Sequence, residues 1–180
     1  MQNEMTDYPK VAVFGGGSWA TAIVKMLSEN LSEIGWYMRN EDTIAHLKEY
    51  HHNPNYLSSV EFDIDKLILS NDIQAMARYA DYLIFVIPSA YLENELHVIS
   101  PECLEDKVIF SAIKGIVPES NLIVGDHFNT HYKVPFCNIG VISGPCHAEE
   151  VALERLSYLT LGSAEPEISE VLCKCLSSHY

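Results

Sequence analysis

The sequence predicts an α/β fold: a doubly wound, mostly parallel sheet with helices on both faces, closed into a single domain. Three observations carry this. Short, nearly continuous apolar runs alternate with stretches of helical periodicity, the pattern of strands buried on both faces by the helices that connect them. The first run, Val11-Ala12-Val13-Phe14, passes directly into Gly15-Gly16-Gly17-Ser18-Trp19-Ala20 and then into helix-spaced apolar residues. Finally, 180 residues with 48% apolar and 20% charged content suffice for one sheet-centred core and fall short of two full domains.

The glycine junction gives this fold its functional direction. Gly15 lets the chain turn tightly off the strand, and Gly17 has no Cβ to hold a ligand away from the first helical N–H groups. Those unpaired donors, at the positive end of a helix, favour an anion. With Ala20 where a third glycine often stands, the pattern reads GxGxxA after a first strand and before a helix, the Rossmann-like context of a dinucleotide pyrophosphate. The helix is supported by Ala20, Ile23, Val24, Leu27 and Leu31, one apolar stripe at three- and four-residue steps. Trp19 falls in the glycine-rich turn, where local packing is expected of it.

The remaining elements follow in order. Residues 34–38 read as a second strand, followed by a helix over Glu41–Tyr50 with Asn40 as its cap. Residues 52–69 interrupt the alternation, 53–57 reading as loop and 62–69 as short irregular or hairpin-like structure. Residues 82–87 form a buried third strand with an amphipathic stretch over 91–99, and strands are expected at 107–112, 138–142 and 158–161. A last helix spans about residues 167–177. This partitions the chain into an N-terminal tail, 1–8, and a dinucleotide-binding domain, 9–180. The stop soon after the last helix suggests a cut at a domain edge or at the start of another strand.

Composition narrows the partners. Eleven basic against twenty-five acidic residues give a net charge of −14, a field that repels nucleic-acid backbones and anionic membranes. An anionic ligand would therefore need converging amides and one or two placed cations. No run approaches the roughly 18 apolar residues of a membrane span, and the tail lacks a basic start, so a soluble, cytoplasmic protein is expected. Five cysteines, odd in number and irregularly spaced, argue against a disulfide framework. No metal site is expected: Asp126, His127 and His131 share a helical spacing but lack another convergent ligand. The adjacent pair Cys146-His147 does not form a nucleophile and base, since neighbours in sequence point apart.

Open parallel sheets bind ligands above the C-terminal strand ends, so the polar junctions there matter. The second strand ends Tyr37-Met38-Arg39-Asn40, a cation where an acid often takes the ribose hydroxyls of NAD. Arg39 suits either the adenine or a 2′-phosphate, leaving NAD and NADP both open. Pro88-Ser89 with Tyr91 follows the third strand, Lys114-Gly115 the fourth, and Ser143-Gly144-Pro145-Cys146-His147-Ala148-Glu149-Glu150 the fifth.

Taken together, GGGSWATA, NPNYL, VIPS, IKG and SGPCHAEEV, in that order, resemble the N-terminal NAD-binding domain of NAD(P)-dependent glycerol-3-phosphate dehydrogenases, from about Pro9 to Tyr180. The resemblance implies interconversion of sn-glycerol 3-phosphate and dihydroxyacetone phosphate by hydride transfer with NAD or NADP. It implies that Gly15, Gly17, Ser18 and Trp19 form the pyrophosphate loop, that Arg39 lies near the adenosine, and that Tyr91 and Ala148 contact the cofactor. Lys114 matches a lysine of the active-site cleft, both cofactor-adjacent and catalytic, while Glu150 braces its element. It further implies a small phosphorylated substrate held with a C-terminal domain that also carries the principal catalytic lysine, and leaves room for a homodimer in a full-length form. Two other readings use the same glycine signals: a non-catalytic dinucleotide-binding or redox-sensing module, and a dehydrogenase for another small hydroxy acid or sugar acid.

Overall fold

A computed structural model describes residues 8–178. Most of the tail and His179-Tyr180 lie outside the described residues. The first strand, β1 (Val11–Phe14), leads into α1 (Ser18–Asn30), then β2 (Ile34–Tyr37), α2 (Glu41–Tyr50), β3 (Leu67–Ser70) and α3 (Ile73–Tyr79). The chain continues through β4 (Tyr82–Phe85), α4 (Ser89–Leu96), β5 (Val108–Ser111), a small hairpin of β6 (Ile116–Val117) and β7 (Leu122–Ile123), and α5 (Val124–Tyr132). It closes with β8 (Ile139–Ser143), α6 (Ala148–Ala152), β9 (Thr160–Ser163) and α7 (Pro166–Leu176).

Seven strands form one sheet in the order β3-β2-β1-β4-β5-β8-β9, parallel throughout except for β9, which runs antiparallel to β8. Alternation along each strand divides the core between the two faces. Val11 and Val13 pack with the α1 stripe, Trp36, Ile84, Phe110 and Leu172 of α7. Ala12 and Phe14 point the other way, to Met76 of α3, Phe85, Leu92 of α4 and Phe128 of α5. This is the doubly wound arrangement expected, with β1 inside the sheet between β2 and β4 and completely buried. Because the chain leaves β1 toward β2 and later returns to place β4 on its other side, the strand order reverses between β1 and β4, and a crevice opens there.

The structure corrects the reading of residues 62–69. Leu67–Ser70 is a parallel strand on the edge of the sheet, in register with Ile34–Tyr37, and no hairpin. Only its first residue is buried, and Ile68 is exposed, so the continuous apolar run reflects an edge position and not a two-stranded unit. The following α3, capped by Asp72 through the Ala75 N–H, is a seven-residue helix that the sequence reading does not contain. The last strand begins at Thr160, two residues beyond the expected 158, and the helix expected over 91–99 begins at Ser89, directly after Pro88. Asn40 caps α2 as expected, its side-chain oxygen accepting from the Asp42 and Thr43 N–H groups. The His127 and His131 rings lie tilted against each other with centroids 4.7 Å apart, His127 is buried, and its Nδ1 lies 3.1 Å from the Ser120 hydroxyl, a packing role. Among the described residues no helix is long and apolar enough to cross a membrane.

Close approach between β5 and β8 depends on one missing side chain. Phe110 pairs with Gly140 in the register, and a Cβ on Gly140 would run into the Phe110 ring. Gly140→Val should therefore destabilise the fold by about 1–3 kcal/mol through overpacking. Urea unfolding monitored by circular dichroism reads this as a lowered midpoint, and an unchanged midpoint would show that the ring is free to move aside.

Candidate functional site

The crevice is built on the turn between β1 and α1. Gly15 adopts φ +138°, and a Cβ there would lie 2.8 Å from the Val86 carbonyl oxygen, so the turn itself requires glycine. Two hydrogen bonds fix it to the second strand: the Gly15 N–H donates to the Tyr37 carbonyl at 3.0 Å, and the Trp36 indole N–H donates to the Gly15 carbonyl at 2.7 Å. A third support comes from the loop after α2. Asn53 is fully buried, and its amide donates to the Gly16 carbonyl at 3.1 Å and to the Thr21 hydroxyl at 2.9 Å. Its carbonyl in turn accepts from the Asn55 N–H.

Gly17 is different in kind. Its φ is −81°, open to any residue, and a Cβ there would meet nothing within 4 Å. The protein's own packing gives no reason for glycine at this position, whereas a ligand brought close to the backbone does. Gly17 is the N-cap of α1, which has no side-chain cap and no acid in its first turn. The first backbone bond of the helix runs from the Thr21 N–H to the Gly17 carbonyl, 3.0 Å, so the donors of the preceding turn remain for an anion. A 13-residue helix with a bare N-terminus, opening into unfilled space above a glycine, fits a pyrophosphate.

Two confluent cavities extend from this floor, sharing Ser18, Trp19, Val86, Ile87 and Pro88 as a common wall. One, of about 320 Å³, runs over Gly15, Gly17 and the end of β2 to Arg39, Tyr91 and Glu95. The other, of about 470 Å³, runs past the ends of β5 and β8 to Lys114, Ser143, His147 and Ala148. All eight residues singled out from the sequence, Gly15, Gly17, Ser18, Trp19, Arg39, Tyr91, Lys114 and Ala148, thus line one crevice. Trp19 lies in the first turn of α1, packed partly on the core and partly facing both cavities. A further hollow of about 490 Å³, beside Met26, Leu161 and Cys173, is the larger in volume, but no basic side chain lines it and it lies away from the glycine turn.

Each end of the crevice carries a cation. Lys114 is exposed and, among the described residues, has no ion-pair partner. It is presented by a turn in which the buried Ser111 hydroxyl accepts from the Ile113 N–H and Gly115 takes φ +90°. Arg39, by contrast, is paired: its guanidinium Nη1 lies 3.2 Å from Glu95 Oε1 on α4. The other carboxylate oxygen of Glu95 accepts from the Tyr37 hydroxyl at 2.5 Å. Burial and that hydrogen bond raise the Tyr37 pKa well above its ordinary value, so the phenol keeps its proton and remains a donor. At the β8 end, Glu150 accepts from the His147 N–H at 3.1 Å, bracing the turn as expected, while Cys146 donates to the Tyr158 carbonyl.

Asn53, Trp36, Tyr37 and Glu95 are the residues that sequence reading did not assign to the site. NPNYL carried a signal for Asn53, as an asparagine beside a proline in a segment of irregular pattern. Glu95 gave none, being one of two glutamates on its helix.

The two glycines should respond differently to substitution. Gly15→Ala forces a side chain into the strained region against a carbonyl and should cost about 1–3 kcal/mol. Gly17→Ala should cost under about 1 kcal/mol. Thermal unfolding of both variants checks the contrast, which fails if they lose equal stability.

The NAD-dependent glycerol-3-phosphate dehydrogenase N-terminus family matches residues 10–169. The chain is 28% identical over 163 residues to a glycerol-3-phosphate dehydrogenase, NAD(P)+, of Macrococcus caseolyticus, covering 90% of the chain and 49% of that protein. A counterpart from Streptococcus pneumoniae is 28% identical over 174 residues, covering 94% and 50%. The chain spans about half the length of the curated relatives it matches. Among solved structures, Plasmodium falciparum glycerol-3-phosphate dehydrogenase superimposes with a TM-score of 0.83 at 25% identity, over 97% of this chain and 51% of that one. The Coxiella burnetii enzyme shares the fold, with a TM-score of 0.81 at 22% identity over 96% and 52%. With the family match across nearly the whole chain, the crevice and these likenesses agree: the chain belongs to the NAD-dependent glycerol-3-phosphate dehydrogenase N-terminus family, as its NAD(P)-binding domain.

Proposed function

We propose that the chain is the cofactor-holding half of a cytoplasmic glycerol-3-phosphate dehydrogenase that interconverts sn-glycerol 3-phosphate and dihydroxyacetone phosphate. The observation that carries this reading is the open glycine floor at the uncapped start of α1, at the sheet's reversal point, in a chain of this family. A substrate and catalytic domain beyond residues 9–180, and a homodimer of the complete protein, belong to the same proposal. The five cysteines are all free, which accords with a reducing compartment.

The bound dinucleotide supplies the hydride acceptor or donor; the chain's residues hold it and manage charge. Gly17, Ser18 and Trp19 offer backbone donors to the pyrophosphate, and the absence of a Cβ on Gly17 lets it approach. Arg39 and Tyr91 flank the adenosine end, while the buried Ala148 lines the opposite wall together with Ile142. Lys114, exposed in that second cavity, is positioned to stabilise negative charge on the substrate oxygen or phosphate. With no ion-pair partner among the described residues, the ammonium is available for that task. With the protein at −14, a single placed cation supplies a local attraction that the overall field opposes.

Two measurements test the reading. NADH fluorescence titration of the isolated chain should show weak, saturable binding, which Gly17→Val lowers at least about tenfold by filling the space above the floor. In a complete protein carrying this domain, Lys114→Ala should depress dihydroxyacetone phosphate reduction by about 10²–10³ while NADH affinity changes little. Absence of saturable binding by a folded chain removes the cofactor role, and unimpaired reduction by the lysine variant assigns Lys114 to the solvated surface.

A further inference from the structure

We infer that Glu95, on α4, reads the 2′ position of the adenosine ribose and makes this crevice prefer NAD to its 2′-phosphorylated counterpart. The inference rests on the dinucleotide reading of the crevice and adds its specificity. In folds of this class an acid at the end of the second strand takes the ribose hydroxyls; here β2 ends in Tyr37, followed by Met38, Arg39 and Asn40, with no acid. The structure brings a carboxylate beside the end of β2 from a different element, α4.

Three observations fix Glu95 there. Tyr37 is the last residue of β2, is itself buried, and its carbonyl accepts from the Gly15 N–H, so its backbone is anchored to the start of the glycine turn. That hydroxyl donates to Glu95 Oε2, and Arg39 donates to Oε1, so both carboxylate oxygens are held by residues of the β2 end. The Glu95 side chain is only 11% exposed yet lines the cavity that begins at Gly15 and Gly17, whereas the Arg39 side chain is 77% exposed. The carboxylate is thus the fixed group and the guanidinium the movable one.

The consequence for a ligand follows from charge. A ribose hydroxyl can donate to the lone pairs that the Tyr37 and Arg39 bonds leave on this carboxylate. A 2′-phosphate, acceptor-only and bearing up to two negative charges, meets a carboxylate in a partly enclosed site, and the cation that would receive it is already paired. Arg39 alone would favour the phosphorylated cofactor. Its pairing with Glu95 reverses that preference, through repulsion more than through a new attraction.

Fluorescence titration of the 180-residue chain with NADH and NADPH tests this, using the unmodified chain, Glu95→Gln and Tyr37→Phe. The unmodified chain should bind NADH at least about tenfold more tightly than NADPH. Glu95→Gln keeps the shape, removes the charge and frees Arg39, and should narrow or invert that ratio about tenfold or more, chiefly by strengthening NADPH binding. Tyr37→Phe keeps the charge while loosening its position, and should weaken NADH without admitting NADPH. Circular dichroism of each variant confirms folding. Equal affinities in the unmodified chain, a preference for NADPH, or a ratio unmoved in Glu95→Gln by a folded protein would overturn the inference while leaving the dinucleotide reading intact. Failure of both nucleotides to bind would remove that reading and this one together.

Discussion

The passage of the chain from β1 into α1 across the end of β4 is the constraint on which the rest depends. At Gly15 the backbone comes so near Val86 that no side chain fits, and this closeness sets the helix N-terminus directly above the point where the strand order reverses. A turn in that conformation is not self-supporting. It is held by the Tyr37 carbonyl, the Trp36 indole and the Asn53 amide, which reach it from β2 and from the loop behind α2. Each of these groups is buried, so each bond replaces one that water can no longer provide, and losing a partner costs more than the bond's net worth. The turn is therefore as rigid as the core that supplies its partners.

That rigidity explains how a strongly acidic protein can present an anion site. Long-range repulsion from the net charge of −14 is screened over about 10 Å at moderate salt, whereas helical N–H groups act at hydrogen-bond distance. Binding then depends on donors that are already aimed, because ordering them at the moment of association would consume much of the gain. The scarcity of cations in the crevice gives each one a distinct task. Arg39 is paired with Glu95 at one end, and Lys114 lines the cavity at the other with no ion-pair partner among the described residues.

Much of the fold was legible because its strands are buried on both faces and so read as apolar runs. β1, β2, β4, β5 and β8 were all visible in this way, and the glycine turn placed the crevice among them. Where burial is one-sided the signal weakens: β3 is an edge strand with an exposed Ile68, and α3 has only seven residues, too few for a periodic stripe. The candidate site residues were legible where they follow strands, since topology alone brings strand ends together. Residues that act through pairing were not. Tyr37 and Glu95 are 58 positions apart, and Asn53 lies 37 from Gly16, separations at which sequence pattern carries no register.

The division of labour between glycines shows how such a site is read physically. Gly15 and Gly140 are explained by the protein itself, through a positive φ and a strand carbonyl in one case and the Phe110 ring in the other. Gly17 is not: its backbone is ordinary and the space above it is open, so the fold would accept a side chain there. A glycine that neither conformation nor packing demands still carries its entropic cost in the unfolded chain. On the proposed function, what offsets that cost is the space a pyrophosphate needs above the backbone. The asymmetry between Gly15 and Gly17, two residues apart in one turn, separates what builds the crevice from what the crevice is for.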